Sequence, residues 1–363
     1  VERMPTVDDV ARAANVSRQT VSNVLNSPAI VREDTRLRVQ RAIDDLGYRP
    51  NASARRLRTQ RSATIGLRLD PLRDGISGAV LDRFVHKLAE QADARDLRVM
   101  IFSASGHDDE LAHIRRLRDG SDVDAFVLIG TDHGDERSQW LIDQGVPFVS
   151  FGRPWGAPSP DPRHRWVDVD GRAGVRDAVT RLRERGAQRV AWIGWPSPSG
   201  TGDERAAGWR EACGLPPAAA DALSRATEDG VPEGRAVATA LLALPEAPDA
   251  IVCASDSLAL GALMAAQAAG HGELPIVGFD NTPVAAAVGL SSVDQPLDEV
   301  VAATLELLFG ERGGAVRPNP NSNEEPTHRL LVPRLVERRS THLPLDGNPG
   351  ALGSGDHNRK ESS

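Results

Sequence analysis

Between residues 17 and 23 the run Ser-Arg-Gln-Thr-Val-Ser-Asn carries the densest recognition chemistry in this 363-residue chain. On a helix it places Arg18, Gln19, Ser22 and Asn23 on one face and Val21, Val24 and Leu25 on the other. A guanidinium pairs bidentately with guanine O6 and N7, and a Gln amide with adenine N6 and N7, so Arg18 and Gln19 suit base edges in a major groove. Thr20 and Ser22 add neutral hydrogen bonds suited to phosphate oxygens. Catalytic patterns are missing by comparison. No GxSxG, HExxH or P-loop occurs, and Gly200-Thr-Gly202 opens a GxGxxG pattern without its third glycine. Asp168 and Asp170 share one side of a strand, but no metal-ligating partners accompany them, so they read as the polar strand end of a cleft rim. None of the nine His sits beside a candidate nucleophile. The expectation is a binding protein, not an enzyme, with no cofactor and no metal.

Short helices must position that face. Val7, Val10, Ala11 and Ala14 fall at i, i+3, i+4 and i+7, a single apolar stripe. Thr6 stands where a cap belongs, with Asp9 at the third helical position as a capping-box partner. Asn15-Val16 interrupts the stripe, and Ser17 caps a second helix over 18–25. A third stripe, Val39, Ala42, Ile43 and Leu46, stops at Gly47. Two short helices joined by a tight turn, the second polar on its outer face, form a helix-turn-helix. A small three-helix domain with a solvated face has the same pattern. The next segment, Tyr-Arg-Pro-Asn-Ala-Ser-Ala-Arg-Arg-Leu-Arg at 48–58, sets Asn51 as the cap of a short arginine-rich helix.

At these residues the chain resembles the lactose-repressor-type (LacI/GalR) transcriptional regulators. Val-Ser-x-x-Thr-Val-Ser at 16–22, Val-Leu-Asn at 24–26, Gly-Tyr-x-Pro-Asn at 47–51 and Ala-Arg-x-Leu at 54–57 carry the likeness, which continues more loosely to about residue 340. The resemblance implies a recognition helix in the major groove and paired hinge helices in the minor groove, with Thr6, Ser17 and Ala54 also at the DNA surface. It makes Leu57 a wedge between base steps, flanked by Arg55, Arg56 and Arg58 on phosphates; an apolar side chain among arginines fits minor-groove insertion. Leu57 packing on a neighbouring domain is the alternative. Asn23 stands where many members have Arg, so the half-site is expected to differ from the lactose operator.

Charge supports a nucleic-acid partner only when it is read by region. Residues 1–61 hold 12 Arg against 7 acidic residues, net +5, which leaves −13 on the remainder of a chain whose total is −8. A basic head on an acidic body fits a DNA-reading module joined to a second domain that DNA avoids. Cys213 and Cys253 lie far apart without a CxxC spacing and read as reduced thiols. No apolar run is long enough to span a membrane, and Val-Glu-Arg-Met-Pro holds no signal-peptide core, so a cytoplasmic protein is expected.

From residue 63 the texture becomes α/β. Apolar strands at 64–69, 98–102, 125–129 and 147–151 alternate with amphipathic helices near 78–94, 108–118 and 136–144. The pattern repeats with strands at 189–194, 222–225, 250–253 and 274–279 between helices near 172–185, 203–213, 233–244 and 258–269. Such runs predict two doubly wound parallel sheets with a cleft between two lobes. The segment 290–293 and a helix over 296–309, striped with Val300, Val301, Leu305 and Leu308, are expected to return to the first lobe. By the resemblance, 329–336 is a closing strand that recrosses, and the body is periplasmic-binding-protein-like. The domain plan is therefore a helix-turn-helix head over 1–50, a hinge helix and linker over 51–62, an effector-binding and dimerisation domain over 63–343, and a disordered tail over 344–363. The tail has no leucine heptads, so a homodimer is expected rather than a tetramer.

Sugar-type ligands need charged or amide groups for their hydroxyls and aromatic faces for the C–H side of the ring. The resemblance supplies candidates by position. Arg205 begins Arg-x-x-Gly-Trp, Asp280 ends the strand Val-Gly-Phe-Asp, Gln295 lies on a crossover segment, and Arg153 follows Phe-Gly. Three departures stand beside them. Ser255 occupies the usual Asn of an Asn-Asp pair, Gly171 replaces an Asn, and the loop 70–75 lacks the common aromatics. Trp155, Trp166 and Trp195 lie near strand ends, where they can stack on a ring or pack in the core. Arg205 and Asp280 also fit a structural ion pair. The function expected is a repressor released from a palindromic operator by a sugar between the lobes; the alternative is a DNA-binding regulator whose body only dimerises.

Overall fold

The protein is described by a computed structural model that covers residues 5–48, 62–69, 78–156, 161–310 and 327–341. The readings made for Asn51, Ala54, Arg55, Arg56, Leu57 and Arg58, for the loop 70–75 and for the tail from 344 lie outside those residues. The chain divides into two compact units, Val1–Ser62 and Ala63–Ser363.

In the first unit, α1 (Val7–Ala13), α2 (Arg18–Asn26) and α3 (Glu33–Leu46) surround a core of Val10, Ala11, Ala14, Val21, Val24, Val39, Ala42 and Ile43. Asn15 takes φ +50° in the turn between α1 and α2, a left-handed conformation that Asn tolerates better than most residues. Gly47 turns the chain back at φ +63°, so Tyr48 donates its N–H to the Ile43 carbonyl and packs against the core. Leu46, expected as the fourth member of the α3 stripe, is instead 36% exposed. The chain reversal brings Tyr48 to that end of the core and leaves Leu46 at the surface.

The second unit holds two sheets, each six-stranded among the described residues. The first uses β1 (Thr64–Leu69), β2 (Arg98–Ser103), β3 (Ala125–Leu128), β4 (Phe148–Phe151), β5 (Trp166–Val169) and β11 (His328–Leu331). Its order is β11-β5-β4-β3-β1-β2, every pair parallel. The second uses β6 (Val190–Gly194), β7 (Ser224–Ala226), β8 (Ala250–Cys253), β9 (Ile276–Phe279), β10 (Ser291–Asp294) and β12 (Arg334–Val336), in the order β12-β10-β9-β8-β6-β7. Only β12 runs antiparallel, against β10.

Helices cover both faces of these sheets, as buried parallel strands require. On β3, Ala125 and Val127 join one core with α4 (Gly78–Asp93), while Phe126 and Leu128 join the opposite one with α5 (His107–Asp119) and α6 (Glu136–Asp143). The second sheet is wrapped by α7 (Gly171–Glu184), α8 (Gly200–Ala212), α9 (Pro217–Leu223), α10 (Val231–Leu242), α11 (Asp256–Ala268) and α12 (Pro283–Val288). The last helix, α13 (Leu297–Phe309), buries Val300, Val301, Leu305 and Leu308 in the core of the first lobe.

Two late segments differ from expectation. The strand near 290–293 does not return to the first lobe. As β10 it pairs with β9, and Val293 joins the second core; only α13 crosses back. Gln295-Pro296 makes the crossing, and proline, which cannot donate to a ladder, ends the pairing and opens the helix. The strand expected over 329–336 is two strands, β11 and β12, one in each sheet, broken at Val332-Pro333 for the same reason. With Asp170 between β5 and α7, this gives three crossings between the lobes. Among the described residues no helix is long and apolar enough to cross a membrane.

Candidate functional site

On the first unit, α2 presents the polar face read from the sequence. Ser17 caps the helix by accepting from the Thr20 N–H at 3.1 Å, and its hydroxyl lies 2.9 Å from that of Thr20. Gln19 donates to the Asn23 carbonyl oxygen at 3.0 Å. Arg18 is largely exposed, with Nε 2.9 Å from an Asp8 carboxylate oxygen. Thr6 donates both its backbone N–H, at 2.9 Å, and its hydroxyl, at 2.7 Å, to the Asp9 carboxylate. Asp9 thus supplies the back-reaching half of a capping box. Ser17, Arg18 and Gln19 are exposed, whereas Thr20, Ser22 and Asn23 are half-buried. An exposed ion pair such as Arg18–Asp8 is worth about 0–1 kcal/mol and is readily exchanged for a stronger partner.

In the second unit the polar residues collect just beyond the carboxyl ends of the parallel strands, where open α/β sheets form their binding crevices. Arg153 follows β4, Trp195 follows β6, Asp229 follows β7, Ser255 follows β8, Asp280 follows β9 and Gln295 follows β10. Arg205, one of the most buried charged groups, projects from α8. Its Nη1 donates to the Ala254 carbonyl at 2.6 Å, and its Nη2 lies 3.8 Å from Asp280 Oδ1. The guanidinium carbon is 3.6 Å from the Phe279 ring centroid and 5.2 Å from that of Trp195. Gly171 lets the Arg205 stem lie close: a Cβ there would stand 2.9 Å from Arg205 Cγ. Gln295 donates to Asp280 Oδ1 at 2.7 Å. Asp280 holds φ +104°, a strained position of the kind that clusters at ligand sites, and Asn281 follows in the left-handed region at φ +47°.

Ser255 is fully buried and fully engaged. Its hydroxyl caps α11 by accepting from the Leu258 N–H and donates to Asp229, which also accepts from Trp195 Nε1 at 3.2 Å. Side chains of the first lobe meet this floor. Arg153 Nε donates to Asp168 at 2.7 Å, and its Nη1 is 3.7 Å from Glu204 on α8. Trp155 lies against α8, where a Cβ on Gly200 would collide with its ring, and Arg153 lies 4.8 Å over that indole. Arg83 on α4 donates to the carbonyls of Asp280 at 3.1 Å and Asn281 at 3.3 Å. Around this floor, among the described residues, three buried donors have no hydrogen-bond partner: Arg153 Nη2, Trp155 Nε1 and Arg205 Nε.

Burial sets the electrostatics. It pushes the carboxyls of Asp280 and Asp168 above their ordinary range, against the opposing pull of Arg205 on the first and Arg153 on the second. Asp256 is raised to about 6 by burial, although it accepts from Ser292, from the Thr282 N–H and from the Thr282 hydroxyl.

Comparison with known proteins adds to this geometry. Residues 6–51 match the family described as bacterial regulatory proteins, lacI family, and residues 179–341 match a periplasmic binding protein-like domain. The HTH-type transcriptional regulator CelR of Thermobifida fusca is 33% identical over 351 residues, 93% of this chain and 98% of that protein. The chain belongs to the lacI family of bacterial regulatory proteins. Among solved structures, a transcriptional regulator CelR-cellobiose complex is similar at 29% identity and TM-score 0.65, covering 93% of this chain and 99% of that one. The lac repressor dimer bound to operator matches at TM-score 0.72 over 93% and 99%, and at 23% identity it shows the fold alone.

Within this lacI-family chain, four cleft residues named from the sequence, Arg205, Ser255, Asp280 and Gln295, fall on one floor with Trp195. Arg153 comes to the same place from the first lobe. Trp166 stacks on His328 of β11 with ring centroids 4.5 Å apart, and its ring centroid lies 6.0 Å from the guanidinium carbon of Arg153. Asp168 is no mere strand end, since it holds Arg153, while Asp170 caps α7 by accepting from the Ala173 N–H. Asp229, Glu204 and Arg83 were missed. Asp229 sits in a Thr-Glu-Asp-Gly loop that has no periodic signal, and only folding places it beside Trp195 and Ser255.

Proposed function

We propose that this regulator binds operator DNA as a cytoplasmic homodimer and is a repressor released when a sugar closes the cleft of its second unit. It has no enzymatic role in this reading. The head contacts DNA through Arg18, Gln19, Thr20, Ser22 and Asn23 of α2, with Thr6 and Ser17 at its edges. The hinge adds Asn51, Ala54, Arg55, Arg56 and Arg58 to the backbone and Leu57 to the minor groove. Arg153, Trp195, Arg205, Ser255, Asp280 and Gln295 hold the effector.

The observation that carries the sugar reading is the mixture at the strand ends: unmatched donors on Arg153, Trp155 and Arg205 beside the carboxylates of Asp280 and Glu204. A hydroxyl donates and accepts, so a polyol satisfies both sets at once. The indole of Trp195 offers the apolar face that a ring's C–H side packs upon. A ligand touching both lobes favours the closed arrangement, and linkage requires that DNA affinity change reciprocally. The cellobiose-bound relative supports the same chemical class.

Intrinsic tryptophan fluorescence tests the reading. Titration with a panel of mono- and disaccharides is expected to shift the emission with one of them, and Trp195→Phe to remove most of that change. A panel that leaves the emission of the folded, DNA-binding protein unmoved favours the second reading, a body that only dimerises; the full engagement of the Ser255 hydroxyl is the observation on that side.

A further inference from the structure

Two carboxylates, Asp8 and Asp9, stand in the first turn of α1, on the unit assigned to a polyanion. Asp9 is accounted for by the cap: it accepts from the Thr6 N–H and hydroxyl and pairs with Arg12 at 3.2 Å. Asp8 is not part of that capping box. Its side chain crosses to α2, where a carboxylate oxygen lies 2.9 Å from Arg18 Nε. The side chains of Asp8 and Arg18 are 47% and 69% exposed, so the pair lies on the surface that presents Arg18. An acid suits the positive end of a helix, which explains its place on α1 but not its contact with α2. A negative charge beside a reading arginine opposes every phosphate that approaches and lowers sequence-independent affinity.

That contact aims Arg18. A guanidinium carries five N–H donors, and bidentate pairing with guanine O6 and N7 needs two of them. With Asp8 against Nε, the outer edge of Nη1 and Nη2 is the one turned to a base, and a guanine is met with the Asp8 contact kept. Moving Arg18 to a phosphate breaks the contact and leaves the Asp8 carboxylate bare beside the DNA backbone. In water the pair contributes little; between protein and DNA the solvent screening falls and the bare charge costs more. The contact also orders a long, rotamer-rich side chain before DNA arrives, which lowers the ordering cost of binding. We propose that Asp8 is a positioning residue for base readout: it holds Arg18 to a guanine edge and away from phosphate. Asp8 thereby sharpens sequence discrimination and lowers affinity for DNA in general. The inference rests on the assignment of Arg18 to the major groove.

Anisotropy titrations of the full chain test this, with wild type, Asp8→Asn, Arg18→Ala and the double variant. The duplexes are an operator selected from a randomised pool, each of its single-base variants, and an unrelated sequence. Arg18→Ala is expected to relax preference at one position of the half-site. Asp8→Asn is expected to relax that same position about three- to tenfold and to leave the others unchanged. It is also expected to bind the unrelated duplex more tightly than wild type does. In the double variant the two losses are expected not to add, so that its profile matches that of Arg18→Ala. Asp8→Asn weakening every duplex alike would show an acid that serves only α1, and overturns the proposal. So do losses that add fully in the double variant, or an Asp8→Asn profile identical to wild type while that of Arg18→Ala is relaxed. An Arg18→Ala protein that keeps every base preference removes the major-groove assignment itself, and this inference falls with it.

Discussion

Replacing Asp280 by alanine removes the carboxylate that ties the cleft floor together. Its Oδ1 accepts from Gln295 at 2.7 Å and faces Arg205 Nη2 at 3.8 Å. At an effective dielectric of about 20, an ion pair at that separation is worth about 4 kcal/mol before desolvation is subtracted. Removing one partner of a buried pair costs about 3–5 kcal/mol, because the other charge stays buried. Asp168, Asp229 and Asp256 still act on Arg205 and soften the loss, while alanine is poorly suited to φ +104° and adds to it. The expected destabilisation is about 3–5 kcal/mol, which lowers Tm by roughly 2–4 °C per kcal/mol in a body of this size. Asp280→Asn keeps the acceptor for Gln295 and tolerates the positive φ, so it separates charge from shape; about 1–2 kcal/mol is expected. For the ligand, a charge-assisted hydrogen bond worth about 1.5–3 kcal/mol disappears in either variant, weakening binding about ten- to a hundredfold. Thermal unfolding without ligand and calorimetry with the sugar found by fluorescence read the two effects. An Asp280→Asn protein of unchanged sugar affinity would remove Asp280 from the site, and an alanine variant of unchanged Tm would refute the buried-pair argument.

Arg18→Ala is expected to cost about 1–3 kcal/mol on the operator and to relax preference at a single base position. Affinities on a set of single-base operator variants check this, and uniform weakening on every sequence would confine Arg18 to phosphate. Arg83→Ala releases the strained turn at Asp280 and Asn281 from the first lobe. Hydrogen exchange is expected to quicken over 280–282 with a loss of about 1–2 kcal/mol, the hydrogen bonds being partly exposed; unchanged exchange there contradicts the clamp. Burial holds His164 down to about 4, neutral beside the Ser150 hydroxyl at 2.8 Å. An unfolded chain binds that proton from about 6.5 downward, so the His164 contribution is intact above pH 6.5 and lost as pH falls towards 4. Asp256, raised to about 6, acts with the opposite sign, its burden growing as pH rises from about 4 to 6. Stability curves for wild type and His164→Gln are therefore expected to diverge below pH 6.5, with wild type losing up to about 3 kcal/mol more by pH 4. Parallel curves would contradict the buried, neutral His164.

The head was legible because its helices are amphipathic and its turns carry distinctive residues: Ser17 as a cap, Gly47 as a stop. The parallel strands were legible as apolar runs. Which sheet a strand joins was not, and β10 shows why. Ser-Ser-Val-Asp reads the same beside either set of neighbours, and the crossing is decided by Pro296 and by the packing of Val293. The short helices α9 and α12 fall below the length at which a 3.6-residue period can be seen, leaving as cues Pro217 for the first and Thr282, Pro283 and Gly289 for the second. In the cleft, Arg205, Asp280 and Gln295 were found through the family pattern around them. Asp229, Glu204 and Arg83 acquire their partners only through tertiary contacts, so nothing in their local sequence marks them.

The central claim, that a sugar in the cleft governs the grip of the head on DNA, is tested most directly by fluorescence anisotropy. A labelled duplex from upstream of the gene is titrated with protein at fixed salt, and the complex is then titrated with saccharides. The account predicts tight, sequence-dependent binding that one sugar reverses. Tightening by that sugar would contradict the direction of the response, and indifference to a sugar that calorimetry shows to be bound would contradict the claim itself.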